Sequence, residues 1–257
     1  MTICDLHTHS TASDGTSSPS EVVKRAKAAN VKYLALTDHD TVSGIEEALK
    51  TAKDLIHVLG FFKGDGYKNK ELNDFLDSIK TKRIERAKKI VENLSKFHDI
   101  HITLESIMKN GKDTIARPHI AKAIMDAGYS YDKEYIFEHF IGNDCPAYIP
   151  SVQMDTKEGV ELLKKHGAIV VLAHPVLLKK NSFQDVLALG FDGLEGIYAM
   201  NSKEDTEKFL SFANEHNLIT SCGSDSHGGE DDIKHGSLGS MKMDEEWLTK
   251  FLTKLKA

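Results

Sequence analysis

Short apolar runs and longer amphipathic stretches follow one another along most of the chain. Runs of strand length lie at Ile3–Leu6, Val31–Leu36, Leu55–Phe62, Ala168–Ala173, Gly193–Tyr198 and Leu218–Cys222. Several of the stretches between them predict helices, and one of these opens at Ser18 and Pro19 with an acidic residue close behind, which is a typical helix start. Strands that alternate with helices indicate an α/β fold built on a mainly parallel sheet or barrel.

A middle segment has a different pattern. From Asn69 to about Phe97 a long charged stretch carries one apolar stripe, which predicts a single long helix. Shorter helices are predicted at Leu104–Asn110, Pro118–Ala127 and Lys133–Phe140. We therefore expect one domain over residues 1–257, in which residues 69–150 form an inserted, mainly helical lobe.

Composition narrows the class of protein. The chain has 257 residues, of which 40% are hydrophobic, and this is enough for a sizeable core. The net charge of −6 argues against stable binding of duplex nucleic acid or of anionic lipid. No apolar run is long enough to cross a bilayer and no apolar leader follows Met1, so a cytoplasmic protein is expected. The 3 cysteines are odd in number and widely spaced, which suggests reduced thiols.

Histidine is the unusual component, with 13 residues, and its placement is more informative than its number. Imidazoles and carboxylates follow several predicted strands directly: His7, His9, His39, His174, Asp225 and His227. In a parallel barrel the C-terminal ends of the strands meet on one face, where active sites lie, so we expect these side chains to converge. Imidazole and carboxylate ligands together suit zinc, manganese or iron, and a set of this size can hold two or three ions.

Each motif taken alone has a simpler interpretation. A His-x-His pair on a surface strand is usually solvated, and Asp38 or Asp40 beside His39 is also typical of a turn. The Gly223–His227 segment equally resembles a glycine turn with helix-capping residues. All these interpretations must hold at once at the same end of successive strands, and that coincidence is improbable. The pattern therefore favours a metal centre.

The other histidines fall into two groups. Six have no ligand-like partner in the sequence and are predicted to be surface residues: His98, His101, His139, His166, His216 and His235. His57 lies inside an apolar run, where a buried core histidine and a ligand are equally plausible interpretations. Arg117 and His119 open a predicted helix, and a guanidinium fork at a helix start suits a phosphate group. A simple helix cap beside a surface arginine is the alternative for this pair.

Several ordered motifs carry a resemblance to a known family. They are His7-Thr8-His9-Ser10, Asp14-Gly15, Thr37-Asp38-His39-Asp40, Ala173-His174-Pro175 and Gly223-Ser224-Asp225-Ser226-His227. Together they resemble the motifs of the PHP family, which is named for its polymerase and histidinol phosphatase members, and in particular those of its stand-alone TrpH-like phosphoesterases. The motifs keep their order and spacing over nearly the whole chain, which makes the resemblance specific.

The resemblance implies a fold, a cofactor and an activity. The fold is a distorted (β/α)7 barrel with a helical insertion, and the cofactors are two or three divalent ions, manganese, zinc or iron, with magnesium as an alternative. The residues that match the family's metal ligands by position are His7, His9, Asp14, His39, His57, His174, Asp225 and His227. The implied substrates are phosphate esters of nucleotides, such as nucleoside 3′,5′-bisphosphates, or short oligonucleotides, and Arg117 and His119 match positions near the substrate phosphate.

The chain departs from the family pattern in one place. Relatives carry a strand that ends in Gly-(Ile/Val)-Glu between the Thr-Asp-His-Asp motif and a His-(Val/Ile)-Leu-Gly motif, and its glutamate bridges two metal ions. Here the residues between Asp40 and His57 suffice for one helix, and Glu46 and Glu47 fall early in that helix. Two explanations remain open: the bridging carboxylate is lost together with its strand, which leaves the barrel one strand short, or the sequence lacks a segment that the full gene product carries. We expect lower metal occupancy than in relatives.

The expected chemistry assigns roles to a few residues. Arg117, with His119, offsets negative charge on the phosphoryl oxygens, and His227 or His174 protonates the leaving oxygen. Two alternatives remain open from the sequence. One is an enzyme like histidinol-phosphate phosphatase. The other is a catalytically impaired module that binds metal or phosphate, and the missing glutamate supports it.

Overall fold

The computed structural model describes most of the chain. The described residues are 1–52, 57–58, 62, 65–111, 114–151, 154–178, 182–229 and 235–256, and their side chains are described except at 50–52, 57–58 and 110. The strands are β1 Thr2–Asp5, β2 Tyr33–Leu34, β3 His57–Val58, β4 Val171–Leu172, β5 Gly193–Tyr198, β6 Ile219–Gly223 and β7 Lys242–Met243. The helices of the first half are α1 Pro19–Ala28, α2 Ser43–Ala52, α3 Lys70–His98, α4 Leu104–Asn110, α5 Arg117–Asp126 and α6 Lys133–Ile136. Those of the second half are α7 Thr156–Lys165, α8 Phe183–Leu187, α9 Lys203–Glu215 and α10 Glu245–Lys256.

The strands form two sheets, in the orders β3-β2-β1-β7 and β4-β5-β6. Every pairing is parallel except that of β1 with β7. The sheets meet where the chain beyond β1 runs beside β6, because Leu6 N–H donates to the Cys222 carbonyl (2.8 Å) and a parallel bridge joins Thr8 to Ser226. On the other side an antiparallel bridge joins Phe62 to Ala168. This arrangement brings the C-terminal ends of β1, β2 and β6 to one edge.

The predicted alternation of strands and helices is confirmed as a mixed α/β fold, with shorter strands than the apolar runs indicate. The run Val31–Leu36 is regular strand only at Tyr33–Leu34. Pairing continues past it without regular geometry, since Ala35 N–H donates to the Asp5 carbonyl (2.9 Å) and Thr37 N–H to the Thr8 carbonyl (2.8 Å). The predicted helix Lys133–Phe140 also changes character, because α6 gives way to a π-helical turn at Phe137–Ile141. The sequence analysis did not anticipate β7 or α10.

Helices α3 to α6 build a core of their own. Ile90 and Leu94 of α3 pack with Ile107 of α4 and with Ile120 and Ile124 of α5, and this cluster is distinct from the cores beside the sheets. Helix α3 has 29 residues, so by its rise per residue it is about 43 Å long and reaches from the sheets to this lobe. Within the described ranges, every helix is too short or too polar to cross a lipid bilayer.

A cavity of about 940 Å³ lies beside β2, between α2, α3 and α7. Its wall is mainly apolar and includes Ile45 of α2, Phe75 and Ile79 of α3, and Leu162 of α7. The space is partly open to solvent, so its apolar lining is not fully covered by other side chains. We call it the α2–α3 cavity.

Gly159 offers a test of this packing, because it lies inside α7 and lines the α2–α3 cavity. A Cβ atom added there meets only the flexible Met154 side chain, at 3.1 Å from its sulfur. Gly159→Ala is therefore expected to raise the free energy of unfolding by about 0.5–1 kcal/mol, measured by urea denaturation. The control Gly128→Ala has open space around it but a φ of +88°, and it should lower stability instead. Equal effects of the two substitutions would contradict this account.

Candidate metal centre

Loops after β1 and β6 bring a first group of ligands together. His7 Nε2 and His9 Nε2 each lie 3.2 Å from Asp225 Oδ1. The backbone joins the two loops, because His9 N–H donates to the Ser226 carbonyl (3.0 Å) and Asp225 N–H to the His7 carbonyl (2.9 Å). His7, His9 and Asp225 thus offer three ligand atoms that all lie within 4.8 Å of one another.

A second group shares His9 with the first. His227 Nε2 lies 3.3 Å from Asp14 Oδ1, and His39 Nε2 lies 3.7 Å from Asp14 Oδ2. His9 Nδ1 is 3.8 Å from Asp14 Oδ1, and the His9 ring packs against those of His39 and His227 with centroids 4.4 and 4.3 Å apart. His9, Asp14, His39 and His227 can therefore hold one ion between them.

His9 carries the evidence that a cation belongs here. Its side chain is 1% exposed, yet neither ring nitrogen makes a well-aligned hydrogen bond with the described residues. Buried polar groups without a partner are rare in folded proteins and need an explanation, which a metal ion supplies. Burial lowers the pKa of the His9 imidazole to about 4, so the ring is neutral at pH 7 and free to bind a metal.

The carboxylates of the two groups are held in the charged form. Burial by itself raises the pKa of Asp14 and that of Asp225, because it disfavours the ionised carboxylate. The His227 and His9 rings, whose nitrogens lie 3.3 and 3.2 Å from the carboxylate oxygens, and the positive charge of the imidazoles around them outweigh this effect and hold both pKa values well below the usual range. Metal binding requires deprotonated carboxylates, so these two residues fit it.

Asp38 braces the loop that follows β1. Its Oδ1 accepts hydrogen bonds from Ser10 N–H and from the Ser13 hydroxyl, and its Oδ2 accepts one from the Ser10 hydroxyl, all at 2.7 Å. The predicted turn interpretation of the Asp38–Asp40 segment is therefore partly right, since Asp38 is structural and only His39 faces the ligands. This bracing positions Asp14 opposite His9 and His227.

Glu195 is a site residue that the sequence analysis missed. It lies on β5 and is 2% exposed; its Oε1 is 3.1 Å from His7 Nδ1 and its Oε2 accepts the backbone N–H of His174 (2.8 Å). Burial lowers the pKa of the His7 imidazole, but Glu195 and Asp225 raise it by more. A carboxylate on the outer nitrogen of a histidine ligand fixes its orientation, here with Nε2 towards Asp225. A charged residue inside a buried apolar strand was the signal that could have revealed it.

His174 and His57 stand apart from these groups. His174 adopts a left-handed conformation (φ 32°), and its ring centroid lies 5.8 Å from that of His7. It belongs to none of the metal-ligand groups formed by described residues. The backbone of His57, in β3, pairs with that of Tyr33, in β2. The side chain of His57 falls outside the described part of the chain. The predicted ligand roles of both residues therefore stay predictions.

Arg117 and His119 lie at the start of α5. His119 Nδ1 accepts the N–H of Ala116 (3.1 Å), so His119 does form a cap, and its neutral ring carries the proton on Nε2. Arg117 donates to Asn143 Oδ1 (3.0 Å) and lies over the Tyr148 ring at 5.6 Å. The sequence analysis missed Arg86 of α3, which lies 5.8 Å from the same ring. Two guanidinium groups therefore meet at one aromatic side chain.

The start of α5 is also tied to the ligand groups. The Thr114 hydroxyl donates to the His39 carbonyl at 3.3 Å. Burial is the main cause that lowers the pKa of the His119 imidazole. The negative charge of Asp14 raises this pKa, and the positive charge of Arg83 lowers it further. Asp14 and Arg83 are therefore close enough to act on His119 electrostatically.

Three of the histidines predicted to be surface residues are partly buried and pack against other groups. The His235 ring is partly exposed and stacks on that of His227, with centroids 4.2 Å apart, so the prediction that it lacks a ligand-like neighbour is wrong. The His166 side chain is only 5% exposed, and the His98 ring packs against Phe140 at 4.8 Å. An imidazole has an apolar body that packs well in partly buried positions, which explains both cases. The exposure of His101, His139 and His216 is confirmed.

The two glutamates that follow His39 in the sequence do not reach the ligand groups. Glu46 accepts hydrogen bonds from the Tyr67 hydroxyl (2.9 Å) and pairs with Lys68 (2.7 Å). Glu47 accepts the N–H of Ser20 (3.0 Å). Both are exposed, so neither replaces a bridging carboxylate.

The comparisons with known proteins agree with this geometry. The PHP domain profile matches residues 5–60. The chain is 30% identical to a 5′-3′ exoribonuclease of Haemophilus influenzae over 247 residues, which cover 87% of this chain and 89% of that protein. The chain belongs to the PHP family of metal-dependent phosphoesterases. A 3′,5′-nucleoside bisphosphate phosphatase of Chromobacterium violaceum is also 30% identical, over 90% of each chain.

Solved structures show the same PHP phosphoesterase architecture. A protein of Bifidobacterium adolescentis assigned as a metal-dependent phosphoesterase matches with a TM-score of 0.82 and 27% identity, over 97% of this chain and 95% of that one. An amidohydrolase of Chromobacterium violaceum, solved with bound sulfate, matches with a TM-score of 0.77 and 26% identity, over 96% of each chain. The predicted family is thus confirmed, and so is the mixed α/β fold.

The low pKa of His9 predicts how the stability of the metal-free protein depends on pH. The unfolded chain binds a proton at this residue near pH 6.5, whereas the folded chain binds it only near pH 4. The contribution of His9 to stability is therefore complete above pH 6.5 and is lost as the pH falls towards 4. With EDTA present, the stability of the wild type relative to His9→Phe should decrease between pH 7 and pH 5, measured by urea denaturation. The exposed control His216→Phe should show no such trend, and a flat difference for His9→Phe would refute the assignment.

Glu195 gives a second prediction. Glu195→Gln removes the charge that orients His7, and loss of such an outer carboxylate typically weakens metal binding by about 10–100-fold. We expect a loss of this size for zinc or manganese in isothermal titration calorimetry. Glu46→Gln is the matched control, because Glu46 is exposed and paired with Lys68 away from the ligand groups. Equal metal affinities of the two variants would show that Glu195 does not act through His7.

Proposed function

We propose that the chain hydrolyses phosphate esters of nucleotides, namely nucleoside 3′,5′-bisphosphates or short oligoribonucleotides. The observation that carries this proposal is that two ligand groups share His9, beside a helix start that presents Arg117 and His119. Cations held near a guanidinium group form a site for a phosphoryl group. The bisphosphate phosphatase and exoribonuclease activities of the relatives support this substrate class.

The donor set supports two or three divalent ions. Imidazoles outnumber carboxylates in the two groups, which favours zinc, manganese or iron, with magnesium as the weaker alternative. Such ions polarise phosphoryl oxygens and make water a stronger acid, so that it becomes a better nucleophile near neutral pH. The proposed ligands are His7, His9, Asp14, His39, Asp225 and His227, with His57 carried from the family pattern.

Arg117 and His119 are the proposed substrate-phosphate residues. Asn143 and the Tyr148 ring hold the Arg117 side chain in place, so less conformational entropy is lost when it binds an anion. The Nε2–H of His119 is a second donor, because its Nδ1 is occupied by the helix cap. These donors offset the negative charge that develops on phosphoryl oxygens.

The geometry distinguishes the two candidate proton donors. His227 Nδ1 lies 2.8 Å from the Asp225 carbonyl and its Nε2 faces Asp14, so both nitrogens are engaged. His174 belongs to no ligand group of the described residues, and its backbone is held by Glu195. We therefore assign protonation of the leaving oxygen to the imidazole of His174, and metal binding to His227.

Arg86 lies over the same Tyr148 ring as Arg117 and is a second cation for a second phosphate. This combination suits a bisphosphate or the end of a single strand better than a duplex. Oligonucleotide length is then limited by the net negative charge of the chain, which disfavours long backbone contacts.

The proposed fold is a distorted (β/α)7 barrel within one domain, residues 1–257, with 69–150 as the inserted lobe. The bridges from Thr8 to Ser226 and from Phe62 to Ala168 support it, because they link the two sheets on both sides. In this barrel β3 pairs directly with β2, and α2 is the helix described between them. Among the described residues between Asp40 and His57, none forms a counterpart of the strand that carries the bridging glutamate in relatives.

One observation favours a rival function. Glu46 and Glu47 point away from the ligand groups, and both carboxylate oxygens of Glu195 are engaged by His7 and His174. A centre without a bridging carboxylate holds two ions less firmly, which is compatible with a module that binds metal or phosphate without turnover. The activity test therefore includes metal binding as a separate measurement.

Phosphate release from adenosine 3′,5′-bisphosphate with added manganese tests the proposal. We expect wild-type turnover that EDTA abolishes, a loss of about 100-fold or more in His9→Ala, and a loss of about 10–100-fold in kcat/KM for Arg117→Ala. His216→Ala is the matched control and should keep wild-type activity. Faster hydrolysis of histidinol phosphate than of the bisphosphate would favour the other phosphatase. Metal binding without hydrolysis of either ester would favour the binding module.

A further inference from the structure

We propose that His235 is an additional metal ligand that shares one ion with Asp225 and His227. This inference rests on the proposed metal centre, and it concerns a histidine that lies outside the family's ordered motifs. One ligand atom from each of these three residues lies within 4.8 Å of the other two.

The backbone places His235 without help from a metal. Gly236 N–H donates to the Ser224 carbonyl at 2.7 Å, which attaches this segment to the loop that carries Asp225 and His227. A side chain at Gly236 would put its Cβ 2.5 Å from that of Ala199, so only glycine allows so close an approach. Further along, Gly239 N–H donates to Asp5 Oδ2 at 2.9 Å. Two anchors therefore fix the segment at the end of β6.

His227 is arranged to share an ion with its neighbour. Its Nδ1 lies 2.8 Å from the Asp225 carbonyl and donates to it, which leaves Nε2 without a proton and able to bind a metal. The ring stacks with His9 at 4.3 Å and with His235 at 4.2 Å, at interplanar angles of 18° and 28°. Three imidazoles thus pack in series, and His227 is common to both pairs.

The spacing fits a single ion. Two ligand atoms that each lie about 2.1 Å from one zinc ion are at most about 4.2 Å apart. Ligand atoms already within 4.8 Å therefore need only a small side-chain rotation to meet around an ion. His235 is partly exposed and Asp225 is buried, so such an ion would sit at the solvent side of the centre.

An extra imidazole also changes the preference among metals. The bridging glutamate of relatives is an oxygen donor, whereas His235 adds a nitrogen donor to a centre that is already rich in imidazole. Nitrogen ligands favour zinc, iron and cobalt over magnesium. We therefore expect His235 to strengthen binding of zinc and cobalt, with little effect on magnesium.

Metal binding by the full-length metal-free protein tests the inference. Zinc and cobalt are titrated into the wild type, His235→Ala, His235→Gln and the exposed control His216→Ala, with calorimetry for affinity and stoichiometry and with visible absorption for bound cobalt. We expect the His235 variants to bind the weakest zinc ion at least about tenfold less tightly and to change the cobalt spectrum. His216→Ala should match the wild type, and unfolding midpoints of the metal-free variants should agree with it.

The outcomes separate this inference from the proposed function. If His235→Ala and His235→Gln bind zinc and cobalt as the wild type does while His9→Ala does not, the metal centre stands and the role of His235 is refuted. If the two variants keep metal affinity but bind inorganic phosphate more weakly, His235 is a substrate contact and the inference is again wrong. If the wild type itself binds neither metal, the proposed function fails together with the inference.

Discussion

The cost of burying charged and polar groups at the C-terminal edge of the sheets dominates this structure. His9 is almost fully buried, Asp225 is 7% exposed and Glu195 is 2% exposed, and each would lose several kcal/mol of hydration if left without a partner. Carboxylates and imidazoles satisfy one another only in part, since both nitrogens of His9 remain without a well-aligned partner. A bound cation would resolve this conflict for all of them at once, at the point where the loops after β1, β2 and β6 converge.

The hydrogen bonds around the ligand groups hold the loops in positions that suit a bound cation. Asp38 braces the loop of Ser10 and Ser13, and Asp5 braces the loop of Ser224, each through several donors. Burial raises the pKa of Asp5 to about 6, although the donors from Ser224 and Gly239 oppose that shift. These two aspartates lie behind the ligands and hold the backbone of both loops in place.

The sequence was sufficient to predict that candidate ligands which directly follow strands lie close together, because parallel strands deliver their C-terminal residues to one edge. His7, His9, His39, Asp225 and His227 were found in this way, and Asp14 through the family resemblance. Glu195 was missed because it lies inside a strand, where a charged residue breaks the apolar pattern without marking an end. His235 was missed because its position depends on a return of the chain to Ser224, which no periodicity reports. Arg86 and Arg117 meet at Tyr148 only after α3 and the lobe have packed together.

The connection from β2 to β3 bears on two features of the structure: the missing bridging glutamate and the α2–α3 cavity. In relatives a strand in this part of the chain carries the bridging glutamate, and a strand also fills space between helices. Here the α2–α3 cavity of about 940 Å³ lies beside β2 and is lined by Thr37, Asp38 and Asp40, the residues that surround His39. The proposed loss of this strand would account for both an apolar cavity beside β2 and a centre with fewer carboxylates. A nitrogen donor from His235 then compensates the metal centre without compensating the packing, because it reaches the ligands from β6 and leaves the α2–α3 cavity as it is.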